Sequence, residues 1–295
     1  MITTVDPKSE SATRVLRGVP SQLAVAIAVG LSAYALYWVI GIVQPQIYRI
    51  TFLLAVLSLT FLLYPISRGS RTQVTAVDWI LLGASVVALA WPVIDFERFV
   101  YRAATPNAID VGLGTITIIL VLEATRRTVG WILPVTAIVF LAYGYLGPLL
   151  GFVGLDLIAH RGYPLDRLVG TLYMTLEGIF GVPLDVAATY IVLFTIYGAI
   201  LRYSGAGQFF INWAMAAMGR SSSGPGRTVA LSGFLLGTVS GSGVATTVTL
   251  GAVAWPLLRR AGYPPEAGAG ILSASGIGAI MAPPTLGAAA FLIAE

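Results

Sequence analysis

Cysteine is absent from the 295 residues, so disulfides, thiolate metal sites and thiol nucleophiles are all excluded. Histidine occurs once, at His160, which rules out a multi-histidine haem or zinc centre. Charge is scarce as well, at 10% of the chain, and 16 of the 17 cations are arginines scattered in ones and twos, so nucleic acid is not an expected partner. Strict alternation of apolar and polar residues is too rare for a membrane β-barrel. The first 18 residues also lack the apolar core of a cleavable leader, because Asp6, Lys8, Glu10, Arg14 and Arg17 interrupt them. The first span is therefore expected to be retained as an anchor.

What remains is apolar. Hydrophobic residues make up 57% of the chain and the mean hydropathy is +0.87, more apolar surface than a soluble fold of this length can hide. An all-α polytopic protein of the lipid bilayer is predicted. Leu23–Val43 is the first span, followed by 51–67, Trp79–Ile94 and a short run at Val111–Leu122 that Glu123–Arg127 can extend toward the headgroups. The loop 95–110 reads as solvated. Gly130–Leu155 and Val186–Leu201 are further spans, with 156–185 between them read as loop and surface helix, and Phe209–Met218 is too short to cross. A cytoplasmic N-terminus places 12 of the 17 cations on the cytoplasmic side, leaving Arg49, Arg98, Arg102, Arg161 and Arg167 opposite, as the positive-inside bias requires.

One stretch cannot be a simple span. Between Arg227 and Arg259 lie 31 residues without a charge, roughly 46 Å as a straight helix at about 1.5 Å per residue, against a hydrocarbon core of about 30 Å. Breaking the helix at Ser240-Gly241-Ser242-Gly243 leaves two limbs of roughly 18 and 23 Å, and puts Arg227, Arg259 and Arg260 at one end. A re-entrant hairpin follows. Irregular backbone at membrane depth persists only where it is buried in protein or lines a cavity, so the tip is either a site or a tight helix contact. Gly233, Gly237 and Gly241 recur every fourth residue, and helix packing is the competing reading of them. A phosphate loop fits poorly, because no strand precedes the glycines and no lysine follows.

Downstream, 267–294 is again uncharged but interrupted by Ala282-Pro283-Pro284-Thr285, where two prolines remove backbone donors and break the helix. A broken helix beside a re-entrant tip is a geometry that transporters use for midplane sites. A membrane enzyme would need a nucleophile, metal or acid–base pair at depth, and none is legible. Glu123, Asp156, Glu177 and Asp185 fall at span edges, with Glu123 read as an interfacial pair with Arg126 or Arg127, and His160 as a surface or capping residue.

Three segments here, 237–245 (GTVSGSGVA), 259–264 (RRAGYP) and 281–291 (MAPPTLGAAAF), resemble the fused membrane subunit of TRAP transporters, specifically the TAXI branch. Upstream, 122–131 (LEATRRTVGW), 159–163 (AHRGY) and 177–183 (EGIFGVP) are similar to the same family. The resemblance implies a permease of the bacterial inner membrane, a secondary transporter that takes a small organic anion, commonly a carboxylate, from a periplasmic substrate-binding protein with sodium as coupling ion and no other cofactor. It implies a cytoplasmic tail (1–21), a four-helix small-subunit-like region (22–127) and the first half of the large-subunit-like transport region (128–295), carrying the first inverted repeat of an elevator-type fold. On that analogy Ser240, Gly241, Ser242, Gly243 and Thr246 at the tip, with Pro283, Pro284 and Thr285 at the helix break, line half of the ion and substrate site. Sodium would be held by Ser240, Gly241, Ser242 and Thr285.

The family's large subunit continues beyond the point where Glu295 falls in mid-helix, so a second repeat is expected from a longer polypeptide or from another copy. The alternative is a truncated membrane scaffold or assembly half without transport activity of its own.

Overall fold

The computed structural model describes residues 13–66, 73–152, 157–218, 224–240 and 243–282, with the side chains of 150–152, 202, 206–208, 239, 240, 245 and 279 left aside. The described residues are helical with no strand, and the chain divides into two compact units, 1–185 and 186–295. Among the described residues, six helices are long and apolar enough to cross a bilayer.

The first unit runs α1 (Val19–Ile40), α2 (Pro45–Leu63), α3 (Ala76–Ile94), the short α4 (Phe96–Tyr101), α5 (Ala108–Val129), α6 (Ile132–Phe152) and α7 (Leu165–Val169), which continues as a π-turn over Gly170–Met174. Local chemistry sets the starts. Pro45 opens α2 behind Gln44, whose side chain accepts from the Ile47 amide at 2.9 Å. Capping boxes open α3 (Thr75 with Asp78) and α5 (Asn107 with Asp110). Gly130, at φ 96°, ends α5 in a conformation that favours glycine.

Helix α2 is the centre of this unit. Ile50, Leu53, Leu57 and Phe61 recur at helical spacing on one face and pack with Leu89 of α3, Phe99 of α4, and Leu120 and Ala124 of α5. By contrast α1 and α6 are only 11% buried over their apolar windows and leave most of their surface to lipid. Gly114 lets α5 approach α7, since a Cβ there would come within 2.8 Å of the Tyr173 ring.

Two expectations change here. The run Val111–Leu122 does extend through Glu123–Arg127 as expected, but the helix also starts earlier, at Ala108, and takes in Asp110, making 22 residues. The segment 156–185 is not surface helix: Val169, Tyr173, Met174 and Phe180 are buried in the core of the unit, and the Tyr173 hydroxyl donates to the Ala88 carbonyl. Its apolar residues lie in short pieces joined by a π-turn and tight turns, so no helical period marks them.

Among the described residues of this unit, Arg14, Asp78 and Asp110 are buried charges, and each is paired. Asp78, fully buried, accepts from Arg14 at 2.7 Å and from Arg127 at 2.6 Å. Arg127 also reaches Glu123 at 2.7 Å and the Tyr64 carbonyl at 3.1 Å, and Arg14 reaches the Leu62 carbonyl at 3.1 Å. These guanidinium groups thus cap carbonyls at the end of α2 while pinning α3 and α5 beside it. At the other ends, Asp110 accepts from Arg102 at 2.9 Å and from the Trp91 indole at 3.0 Å, and Arg102 also holds Asp95 at 2.9 Å. The hydrogen bond to Asp110, then that to Asp95, raises the Arg102 pKa above the ordinary guanidinium value. The loop 95–110 is therefore structured by α4 and this cluster rather than merely solvated.

The second unit completes a long helix in which α8 (Val182–Val186) passes through a π-turn over Ala187–Ile191 into α9 (Val192–Tyr203). It continues with α10 (Ala206–Met218), α11 (Gly224–Ser240), α12 (Gly243–Arg260) and α13 (Pro265–Ile280). Helix α11 is central, packing against α9, α10, α12 and α13. Its core is aliphatic, built from Ile211, Val229, Leu236, Leu250, Ala254, Leu258 and Leu272.

Candidate functional site

The uncharged stretch folds as two helices, not one. Helix α11 ends at Ser240 and α12 begins at Gly243. At 17 and 18 residues, they reach about 26 and 27 Å at about 1.5 Å per residue. They lie side by side, since Thr228 and Ser232 near the start of α11 share a cavity wall with Leu250, Leu257 and Arg260 of α12. The arginines Arg227, Arg259 and Arg260 therefore gather at one end and the break at the other.

Helix α13 packs along both limbs through small residues. A Cβ on Gly233 would come within 2.5 Å of the Ser275 Cβ and 3.0 Å of its carbonyl. One on Gly243 would lie 2.7 Å from the Gly276 carbonyl and 3.3 Å from Ile280 Cδ1, and one on Gly276 would overlap the Thr247 hydroxyl. The packing reading of the glycines thus holds at Gly233, which admits α13 against α11. At Gly243 the close contact has a further consequence, because it sets the first turn of α12 against the last turn of α13. Ile280 closes α13, and Met281 and Ala282 follow it as a turn and a bend.

The polar groups near this end are backbone and hydroxyl. Thr246 is buried at 1% exposure, Thr247 donates to the Gly243 carbonyl at 2.8 Å, Thr238 to Leu235 at 2.6 Å and Ser275 to Ile271 at 2.7 Å. The first amides of α12 and the last carbonyls of α11 have no partner within their own helices, so donors of partial positive charge and acceptors of partial negative charge meet at one break. Among the expected site residues, Gly243 and Thr246 are described in full and Ser240 as the last helical residue of α11. Gly241, Ser242, Pro283, Pro284 and Thr285 lie outside the described residues. Thr247, Ser275 and Gly276 join the neighbourhood although the sequence reading passes over them. Their signal was the run Ser273-Ala274-Ser275-Gly276, small enough to seat a neighbouring helix.

Of the other sequence candidates, Asp156 lies outside the described residues, and Glu123, Asp185 and His160 have structural partners. Glu123 holds Arg126 and Arg127, both at 2.7 Å, and Asp185 holds Arg49 at 2.8 Å. His160 lies 3.0 Å from the Tyr143 carbonyl through Nε2 and accepts from the Gly162 amide through Nδ1, capping its loop.

Helical throughout its regular elements and with six helices fit to cross a bilayer among the described residues, the chain is a multi-pass membrane protein. The family described as tripartite ATP-independent periplasmic transporter, DctM component, matches residues 116–295. The chain belongs to that family.

Among curated proteins, the C4-dicarboxylate TRAP transporter large permease protein DctM of Rhodobacter capsulatus is 30% identical over 125 residues, 42% of this chain and 26% of that protein. The 2,3-diketo-L-gulonate TRAP transporter large permease protein YiaN of Escherichia coli is 30% identical over 96 residues, 32% of this chain and 23% of its own. The DctM protein of Pseudomonas aeruginosa is 32% identical over 96 residues, 22% of its length. The chain thus spans about a quarter of the length of the curated relatives it matches. No solved structure matches it.

Proposed function

We propose that this chain supplies the membrane permease, or its first half, of a TRAP-type secondary transporter of the TAXI branch. It would take up a small organic anion, a carboxylate, delivered by a periplasmic binding protein and driven by sodium. The family match supports the class, and the names of the relatives support a carboxylate or keto-acid substrate. Residues 22–127 correspond in this reading to a fused small subunit and 128–295 to the first repeat of the large one. The membrane is the bacterial inner membrane, with the N-terminus cytoplasmic and the α11–α12 hairpin re-entrant from that side.

The observation that carries the reading is the meeting of helix ends. The first turn of α12 at Gly243 lies against Gly276 and Ile280 of α13, just ahead of Pro283. A carboxylate favours the partial positive charge of a helix start, and sodium favours unwound carbonyls and hydroxyls. The site therefore comprises Ser240, Gly241, Ser242, Gly243 and Thr246 with Pro283, Pro284 and Thr285, and sodium rests on Ser240, Gly241, Ser242 and Thr285.

The test is uptake of a radiolabelled dicarboxylate, presented on its binding protein, into proteoliposomes holding the permease with an inward sodium gradient. Sodium-dependent uptake is expected, with at least a tenfold loss in Ser240→Ala/Ser242→Ala. Uptake indifferent to the double substitution would overturn the site. Uptake equal with and without sodium would overturn the coupling.

A further inference from the structure

At the end of the hairpin away from the break, the second unit contains a cavity of about 200 Å³ between α10, α11 and α12. Most of its wall is aliphatic, with Ile211, Met215, Leu250 and Leu257 among the lining side chains, and the exposed Arg260 stands at one edge. Ser232 also lines it. That residue is 1% exposed, and its hydroxyl has no hydrogen-bond partner. This is unusual for a helix hydroxyl in this protein: Ser58, Ser85, Thr117, Thr247 and Ser275 each donate to the carbonyl four residues back. A buried hydroxyl without a partner calls for one. Water suits the hydroxyl but not the surrounding aliphatic wall, since apolar cavities stay dry or take apolar guests.

The length of the cavity narrows the guest. From Leu250 to Arg260 it follows α12 for ten residues, about 15 Å at about 1.5 Å per residue. That is half of a hydrocarbon core of about 30 Å, the depth of one leaflet. A guanidinium lies at one end of this length, Arg259 beside it, and an aliphatic wall runs along the remainder. A basic pocket between helices at the membrane surface suits an anionic lipid headgroup.

We propose that this cavity is a binding site for one anionic phospholipid. Its phosphate meets Arg260, an ester carbonyl accepts from the Ser232 hydroxyl, and one acyl chain runs along Ile211, Met215, Leu250 and Leu257. The lipid would splint the base of the hairpin against α10. The site is separate from the proposed substrate site at the hairpin break and does not depend on it.

Native mass spectrometry of the protein, extracted from nanodiscs of equal phosphatidylglycerol and phosphatidylcholine, tests this. One phosphatidylglycerol is expected to survive on the protein, at least fivefold in excess over phosphatidylcholine. Arg260→Gln should remove that preference, whereas Arg98→Gln, a cation of the other unit, should leave it. Val253→Phe, at a half-exposed position on the cavity wall, should exclude the lipid while the protein keeps its helical circular dichroism and melting transition. Ser232→Ala should lower retention without abolishing it. Equal retention of both lipids, or unchanged phosphatidylglycerol in both Arg260→Gln and folded Val253→Phe, would overturn the proposal. So would retention of no lipid at all by the wild-type protein.

Discussion

The two units of this protein hold their helices together by opposite means. In residues 1–185 the helix ends are clamped by buried ion pairs: Arg14, Asp78 and Arg127 have side chains with no exposure, and Asp110 is likewise buried against Arg102. In residues 186–295 no ion pair is found among the described residues, and α11, α12 and α13 meet instead through Gly233, Gly243, Ser275 and Gly276. Charged clamps are directional and cost a great deal to separate in a low-dielectric surround. Small-residue contacts depend on shape alone and leave the surface between helices uncharged. The proposed site lies in the second unit, where small residues rather than ion pairs bring the helices together.

The sharpest way to break the contrast is to remove its most connected charge. Asp78→Ala leaves Arg14 and Arg127 without their shared carboxylate, and a buried pair broken on one side costs about 3–5 kcal/mol. Thermal unfolding in mild detergent should show the first unit destabilised by that order, with loss of protection in α2, α3 and α5 by hydrogen exchange. A smaller effect belongs to the second unit. Gly276→Ala drives a methyl into Thr247 and toward the Gly243 carbonyl, and overpacking of this kind costs about 1–3 kcal/mol. Stability should fall by that amount and sodium-dependent uptake with it. Gly251→Ala, where a Cβ meets nothing within 4 Å, is the control: it should gain about 0.5–1 kcal/mol from helix propensity. Equal effects of the two substitutions would show that close approach does not hold the unit together.

Much of this contrast was legible in the sequence, and the rest was hidden for a physical reason. The division into α11, ending at Ser240, and α12, beginning at Gly243, follows from 31 uncharged residues too long for one span, and the end of α13 from the prolines just beyond it in sequence. The N-terminal start of α5 did not follow. The extension through Glu123 to Arg127 was expected, but Asp110 looks like a boundary and lies inside the helix; in both cases partners neutralise the carboxylate. For Glu123 the partners are three and four residues away, a helical spacing that the sequence displays. For Asp110 they are Arg102 and Trp91, the latter 19 residues away and brought near only by the fold. The same holds for Asp78, whose partners are 64 and 49 residues distant. In the proposed site, Ser240 to Thr246 are visible as a local motif, whereas Gly276 and Thr247 become neighbours only once α13 packs on the hairpin.

The smallest expected effect sharpens the comparison within a single carboxylate. Glu123 receives hydrogen bonds from two adjacent arginines at the same 2.7 Å, so distance alone would rank them equal. Their surroundings differ. The Arg127 side chain has no exposure and also serves Asp78 and the Tyr64 carbonyl, whereas the Arg126 side chain is 20% exposed and stands 5.3 Å from the Trp131 ring. Solvent screens Arg126 and can rehydrate Glu123 in its absence, so Arg126→Gln should cost about 0.2–1 kcal/mol, the range of a surface pair. Arg127→Gln leaves Asp78 with one guanidinium fewer in a site that water does not reach, and should approach the cost of Asp78→Ala. Melting temperatures of the two single variants and the double decide the matter. If Arg126→Gln is as damaging as Arg127→Gln, then the carboxylate itself, rather than burial, governs the clamp, and the division between the units rests on sequence proximity instead of on desolvation.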